Sequence, residues 1–454
     1  MHIHVLSNPC YIEGTQWLFV YFHSTMDENQ FINLNLNVRG LGQSATLAIN
    51  EKSNELARKG KQIYKFGLGQ SPFPVPDSVQ EALREHAHQK DYLPVKGLEE
   101  LRSSVAAFST RETGVEYTWE DTLIGPGSKE LIFILQLVYY GDFIIPAPGW
   151  VSYSPQARIV GRNVHWIPTR SKDRWRLRPE QLDMLCRTDP YRPRLVILNY
   201  PSNPTGCSYT GDELKELADV ARKYKVIIVS DEIYGLLNHK GEHVSIAQYY
   251  PEGTIVSGGL SKWCGAGGWR LGTFTFPEKL RWLLDAMAIV ASETFTSTAA
   301  PIQYAGIRAF DFAEDIQTYV SDSQRVLKIL GKHLTRSLRN SGLKLNDPEG
   351  GFYLFPDLLE YREELNRKGL FTSVEVCQRL LEETGIATLP GHDFGRDPEE
   401  LTLRMSYVDF DGDKALRGIH GKEVLKEDEP AFVKKHFSRI MEATQVMDSW
   451  LRSL

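Results

Sequence analysis

The chain has 454 residues, 42% of them hydrophobic and 24% charged, and a net charge of −6. That length and balance describe a globular chain of two or three domains with a sizeable core, and they exclude a general nucleic-acid binder, which would be basic. No apolar run approaches the roughly 18–20 residues that a membrane span needs.

The N-terminal stretch carries one apolar patch, Trp17 to Phe22, without a basic start or a small-residue cleavage site, so it does not read as a signal peptide. Met26, followed by Asp-Glu-Asn-Gln, serves equally well as a start. Residues 1–25 are read as an arm or as an artefact upstream of that start, with no function attached, and residues 1–38 as a partly flexible N-terminal arm. Between residues 41 and 61 the pattern from Ser44 to Lys52 predicts an amphipathic helix entered through a polar cap. The Gly- and Pro-rich run from Gly67 to Pro76 then breaks regular structure.

From there to about residue 330, short apolar runs alternate with helical segments. Phe143-Ile-Ile-Pro, Leu195-Val-Ile-Leu, Val226-Ile-Ile-Val and Thr254-Ile-Val-Ser read as strands buried on both faces of a parallel sheet. Thr210-Gly-Asp-Glu213 has the form of a capping box, opening a helix with Leu214, Leu217, Ala218 and Ala221 on one face. This alternation predicts an α/β domain. After about residue 335 the pattern changes: Gly350 to Phe355 and Leu401 to Tyr407 read as strands, Thr372 to Thr384 as a helix, and the tail as a helix ending near Trp450. His86 and His88 stand two apart on a predicted helix and face away from each other, so no metal site is expected. Cysteines 10, 186, 207, 264 and 377 form no CxxC pair and are odd in number, which suits reduced thiols in a cytoplasmic enzyme.

Four clusters lie where a buried run ends, the place where open α/β sheets bind ligands. Asn199-Tyr-Pro-Ser-Asn-Pro-Thr-Gly206 follows the second run, Ser230-Asp-Glu-Ile-Tyr234 the third, and Ser257-Gly-Gly-Leu-Ser-Lys262 the fourth, with Arg270 eight residues beyond the lysine. Upstream, Gly125-Pro-Gly-Ser-Lys129 precedes the apolar helix Glu130 to Tyr140. A Gly-Ser turn opening a helix offers backbone donors and a positive dipole end to an anion, and an arginine adds a bidentate grip. An aspartate ending a buried strand holds a ring nitrogen protonated. A lysine among glycines and near a second cation loses its proton and acts as nucleophile or base. Together they suit a phosphorylated aromatic cofactor. Taken singly each has a plainer reading: Asp231 as a helix cap, Asn203-Pro204 as a turn, Lys262 as a solvated charge. Gly125–Lys129 lacks the P-loop spacing, and Gly67-Leu-Gly69 is not the dinucleotide-binding G-x-G-x-x-G.

In family order and with compatible spacing, Asn-Pro-Thr-Gly206, Ser-Asp-Glu-Ile-Tyr234, Ser261-Lys262 with Arg270, and Arg404-Met-Ser-Tyr407 resemble the fold type I, aspartate-aminotransferase-like pyridoxal-phosphate enzymes. The likeness runs from about Arg39 to Tyr407. It implies an α/β fold with a large cofactor-binding domain, residues 76–334, built on a mainly parallel seven-stranded sheet sandwiched by helices. A smaller α+β domain would come from residues 39–75 and 335–454.

The resemblance also implies roles. Lys262 forms the aldimine with pyridoxal 5′-phosphate and carries the proton between the substrate Cα and the cofactor. Asp231 pairs with the pyridinium nitrogen, Asn203 and Tyr234 hold the phenolic oxygen, and Trp150 stacks on the ring. Gly127, Ser128 and Arg270 bind the phosphate, with Ser257 or Ser261 in place of the serine that some members carry where this chain has Gly259. Lys129 either reinforces that phosphate site or meets a substrate's distal carboxylate. Tyr92 reaches the cofactor of a neighbouring subunit, which implies a homodimer with shared sites. Arg404 grips the substrate carboxylate with Asn203 close by, and Gly69 leaves it room.

The activity implied is ping-pong transfer of an amino group from an L-amino acid to a 2-oxo acid. A lyase or synthase on the same fold uses the same residues, whereas a DNA-binding regulator would need a basic module that is absent here. Gly42 and Gln43 stand where an aspartate-using branch has a basic residue and a proline, which weighs against an acidic substrate. Lys129 hints at an acidic donor such as glutamate or aspartate, while Trp119, Tyr153 and Phe295 fit an apolar or aromatic pocket as easily.

Overall fold

The run Ile227–Asp231 is buried at every position, as are Thr122–Gly125 and Gly272–Thr275, so the sheet they form must be covered on both faces. The computed structural model describes residues 33–422 and 424–454. The expected arm and the alternative start therefore fall almost wholly outside the described residues. Residues up to Gly42 form one unit and residues 43–454 another. Within the first, Asn35 to Leu41 make tight turns, the Val38 and Leu41 amides donating to Asn35 and Val38 carbonyls.

The second unit carries twelve strands among its described residues: β1 (Tyr64–Lys65), β2 (Thr122–Gly125), β3 (Asp142–Ala147), β4 (Val164–Pro168), β5 (Arg194–Asn199), β6 (Ile227–Asp231), β7 (Thr254–Gly259), β8 (Gly272–Thr275), β9 (Tyr353–Leu354), β10 (Ile386–Ala387), β11 (Leu389–Pro390) and β12 (Leu403–Ser406). Seven of them make one sheet in the order β2-β8-β7-β6-β5-β3-β4. All its neighbours pair in parallel except at β8, which runs antiparallel to β2 and β7. The expected mainly parallel seven-stranded sheet is thus present.

Side-chain alternation along these strands feeds two cores. Phe143, Ile145, Leu195, Ile197 and Val229 pack with Leu131 and Leu135 of the helix Ser128–Val138 and with Leu283 and Met287 of the helix Arg281–Ser292. Ile144, Val196, Leu198 and Ile228 face the other way, onto Leu182 of the helix Pro179–Arg187 and Leu214, Leu217 and Ala221 of the helix Gly211–Tyr224. At the ends of the chain, β1 pairs with β10, and β9, β12 and β11 form a three-stranded antiparallel sheet.

Several boundaries differ from expectation. The strand read over Gly350 to Phe355 shortens to Tyr353–Leu354. Gly350 instead pairs with Asn238, and Gly351 takes a left-handed φ of 63°, both of which break the ladder. The helix carrying His86 ends there, so His88 is off the helix, its ring 6.5 Å from that of His86; the helical-spacing argument does not apply to it. Among the described residues no helix is long and apolar enough to cross a membrane.

Thr210 does cap the helix Gly211–Tyr224, its hydroxyl accepting from the Glu213 amide at 3.4 Å while Glu213 reaches back to the Thr210 amide at 2.9 Å. Thr210→Ala is expected to lower stability by about 1 kcal/mol, read as a shift of the urea midpoint at unchanged slope.

Candidate active site

Parallel strands deliver their C-terminal ends to one edge of the sheet, and those ends carry Asn199, Asp231 and Gly259. β2 ends on the same edge at Gly125, so the helix Ser128–Val138 starts there, with Gly127 as its N-cap at φ 94°. Because β8 is antiparallel, it begins at that edge, its Gly272 opposite both Gly125 and Gly259. Arg270, two residues earlier and held at φ 58°, is thereby brought to the helix N-terminus. A Cβ on Gly127 would stand 2.3 Å from Arg270 Nη2, the movable end of that side chain, and the φ of 94° itself favours glycine there.

Asp231 is buried, and its two oxygens have different surroundings. Oδ2 accepts a 2.5 Å hydrogen bond from the Tyr153 hydroxyl, while Oδ1 has no partner. Burial raises this carboxyl to about 6, with the Tyr153 bond and the Ile233 amide opposing the rise. Tyr153 opens the helix Tyr153–Ile159 just beyond β3 and meets Trp150 edge-on at 5.2 Å. Lys129 Nζ stands 5.3 Å from the Trp150 ring centre. Burial lowers the Lys129 pKa, and Arg270 nearby lowers it further.

Lys262 is half-buried beyond β7, and its Nζ donates a 2.8 Å hydrogen bond to the Gly69 carbonyl. Burial brings its pKa down to about 8, and the positive charges of Arg404, Arg270 and Lys129 act in the same direction against Asp231. Tyr234, buried, shares a 2.8 Å hydroxyl–hydroxyl bond with Tyr353, and its ring centre is 5.7 Å from Lys262 Nζ.

Arg404 on β12 is 2% exposed. Its guanidinium lies 5.0 Å from the Tyr353 ring and 5.6 Å from that of Phe394, donates to the Gly67 carbonyl, and reaches Asn203 Oδ1 at 3.5 Å. Its Nε has no hydrogen-bond partner. The Asn203 amide donates to Asn199 Oδ1 at 2.7 Å, which fixes the loop after β5.

Lys262, Asp231, Arg404, Arg270 and Lys129 thus act on one another electrostatically, with Asn203, Tyr234, Trp150, Gly127 and Gly69 in contact with members of the group. Ser128 begins the helix at the same edge, and Ser261 lies under Gly267. Ser257 Oγ has no partner and lines a cavity with Glu232 and His243. Tyr92, 90% exposed, makes no hydrogen bond or ring contact with the cluster within this chain. Trp119 stands before β2, at the opposite edge of the sheet, under the Arg102 guanidinium.

The space expected beside Gly69 is taken by Tyr353, whose hydroxyl would lie 2.0 Å from a Cβ there. Sequence reading missed Tyr353, which touches Gly69, Tyr234 and Arg404 together. Its signal was slight, a tyrosine between Phe352 and Leu354 in an apolar run. Cys207 and Cys264 are buried, the first with its thiol pushed up to about 11. Among the described residues no cluster of three or more His, Cys, Asp or Glu side chains is placed to hold a metal ion.

The family model for aminotransferase class I and II matches residues 61–415. The chain is 34% identical over 382 residues to the aspartate aminotransferase of Geobacillus stearothermophilus, covering 82% of this chain and 93% of that protein. It is 32% identical over 380 residues to the aspartate/prephenate aminotransferase of Thermus thermophilus, covering 83% and 94%. The solved aspartate aminotransferase of Thermus thermophilus with maleate superposes with a TM-score of 0.76 at 31% identity, covering 85% of this chain and 97% of that one. The chain belongs to the class I and II aminotransferases and is a pyridoxal-phosphate-dependent enzyme of that family.

Proposed function

We propose that this aminotransferase works on acidic amino acids and their 2-oxo acids, with Lys262 as the group that binds the cofactor and moves the proton. The observation that carries the reading is the Lys262 amine, bonded to Gly69 and brought down to about 8 among Arg404, Arg270, Lys129 and Asp231. At that value an appreciable fraction is free amine near neutral pH and able to accept a proton.

The residues present fit pyridoxal phosphate on their own chemistry. Asp231 Oδ1 is buried without a partner and suits a protonated ring nitrogen. The Gly127 turn at a helix N-terminus, with Arg270 against it, suits a phosphate. Trp150, half-buried, offers a ring face, and Tyr234 and Asn203 offer donors. When bound, the cofactor supplies an electron sink for the substrate Cα–H bond.

Arg404 holds the substrate's α-carboxylate through the Nε that lacks a partner and one terminal nitrogen. Asn203, already within reach of Arg404, orients that carboxylate. Lys262 Nζ would take the Cα proton and be the group that carries it, the bound cofactor supplying the electron sink. Asp231 keeps its charge opposite the ring, and the Tyr153 hydroxyl, whose burial holds it far from ionisation, keeps that carboxylate in place.

Support for an acidic substrate comes from Lys129 beside the site, and from relatives named for aspartate, one solved with the dicarboxylate maleate. Tyr92, fully outside its own subunit's cluster, supports a homodimer in which it reaches the neighbouring site. The pairing of β1 with β10 supports reading the two chain ends, 39–75 and 335–454, as a smaller domain beside the large one of 76–334. The family chemistry and the absence of a spanning helix among the described residues support a cytoplasmic enzyme.

Three outcomes are expected. Lys262→Ala is expected to abolish transamination, at least 1,000-fold in kcat by the usual weight of a general base. The protein freed of cofactor carries a second signature of the same lysine. With a folded pKa near 8 against 10.5 unfolded, the unfolded chain binds more protons between those values, so stability rises with pH across that window. Lys262→Ala should lack that rise in urea unfolding at pH 8 and pH 10. Lys129→Met should raise KM for aspartate about tenfold while leaving alanine unchanged, as measured in a donor screen; equal effects on both would discard the acidic-substrate reading.

A further inference from the structure

Asp231 stands between two residues whose side chains are tied to each other on the far face of the strand. Ser230 Oγ donates to Glu232 Oε1 at 2.6 Å, and Ser245 Oγ donates to the same oxygen at 2.5 Å. His243 Nε2 lies 2.9 Å from Glu232 Oε2, with both side chains below 8% exposed. The Tyr200 hydroxyl bridges to Ser230 Oγ at 2.9 Å, is 3.5 Å from Glu232, and accepts from the Ile246 amide at 2.8 Å. Main-chain bonds close the assembly: the Glu232 amide donates to the Ser257 carbonyl at 3.0 Å, and Asn199 Nδ2 donates to the Asp231 carbonyl at 2.9 Å. A carboxylate buried this deeply is tolerated only when its lone pairs are filled. Here they are filled by groups from three segments of chain, at Tyr200, Ser230 and His243 to Ser245, all outside the set of residues read for substrate or cofactor.

We infer that Glu232, held by Ser245 and His243, is a positioning residue that fixes the direction of Asp231 and whose own charge, one residue away, sets how readily that carboxylate takes up a proton. The inference rests on the reading that Asp231 faces the cofactor ring nitrogen. The mechanism is mechanical and electrostatic at once. With Ser230 and Glu232 clamped to one point, the Asp231 Cβ has one direction, and its unpaired Oδ1 is aimed rather than free. The Glu232 charge lies one residue from Asp231, so it also favours the proton on that carboxyl. The other charged or titratable groups around Glu232 are His243 from the loop before Ser245, Tyr200 after β5, Asp231 itself, Tyr117, and Glu112 of the helix Glu99–Thr113 across the shared cavity.

The test uses the full chain freed of cofactor and titrated with pyridoxal phosphate from pH 5 to 9, reading affinity by quenching of tryptophan fluorescence. E232Q keeps the shape and removes the charge. It is expected to move the acid limb of the affinity profile about 1 pH unit lower. S245A keeps the charge and removes one tie, so it is expected to weaken affinity severalfold at every pH without lowering the limb. Wild-type profiles in both variants overturn the inference. Should E232Q fail to fold by circular dichroism, S245A decides alone, and wild-type affinity there overturns it. D231N in the same assay separates the two claims: unchanged cofactor affinity in D231N removes the reading on which the inference stands, whereas loss in D231N with no effect in E232Q or S245A removes the inference only.

Discussion

A carboxylate at the end of a strand buried at every position is unfavourable unless its charge is answered, and the site is organised around that cost at Asp231. One oxygen is answered by the Tyr153 hydroxyl, and the other is buried without a partner. Four cations surround the region at different depths: Arg404 fully buried, Lys262 half-buried, Arg270 and Lys129 more open. Three of them push Lys262 toward its neutral form while Asp231 alone pulls it back. A lysine lowered by desolvation and like charge can give up its proton near neutral pH, and the same excess of positive charge attracts anions.

The two ends of the chain supply the part that the large sheet cannot. Arg404 comes from the three-stranded sheet, and Gly67 and Gly69 come from the segment after β1. Tyr353 joins them: its ring lies by Arg404, its hydroxyl meets Tyr234, and it fills the space that Gly69 leaves. Gly67 and Arg404, more than 300 positions apart in sequence, are thereby brought into direct contact. Tyr353 thus touches Arg404 on one side and, on the other, Gly69, whose carbonyl accepts from Lys262.

What was legible in the sequence was what repeats with a period or sits in a contiguous motif. The β-branched runs gave β3, β5, β6 and β7 because strands buried on both faces need apolar residues at every position. Lys262, Asp231 and Asn203 were legible as candidates because each follows such a run within a few residues, and Arg270 because it stands eight residues beyond the lysine. Tyr353 and the group around Glu232 were not, since their partners are scattered: Ser245 and His243 stand on a loop without periodicity, and Tyr200 looks like any strand-end aromatic. The resemblance carried Gly69 as a space for substrate, and only coordinates reveal the side chain already next to it. His88 was misplaced because the helix stops at His86, a boundary that a polar stretch of His, Ala and Gln does not mark.

The direction of β8 has the widest consequence of any single topological feature. A parallel strand in that place would begin at the far edge and leave Arg270 at the wrong end of the sheet. Running antiparallel, β8 sets Gly272 against Gly125 and Gly259 together, so the turn that precedes it opens directly beside the helix N-terminus at Gly127. The close fit requires glycine at Gly272, where a Cβ would fall 2.1 Å from the Ser128 amide nitrogen, and favours it at Gly127, whose φ is 94°. The left-handed backbone of Arg270 is the remaining cost, of order 1 kcal/mol for a residue with a Cβ. Strain of that size is held in place by the fit of Arg270 against Gly127 and of Gly272 against the Ser128 amide.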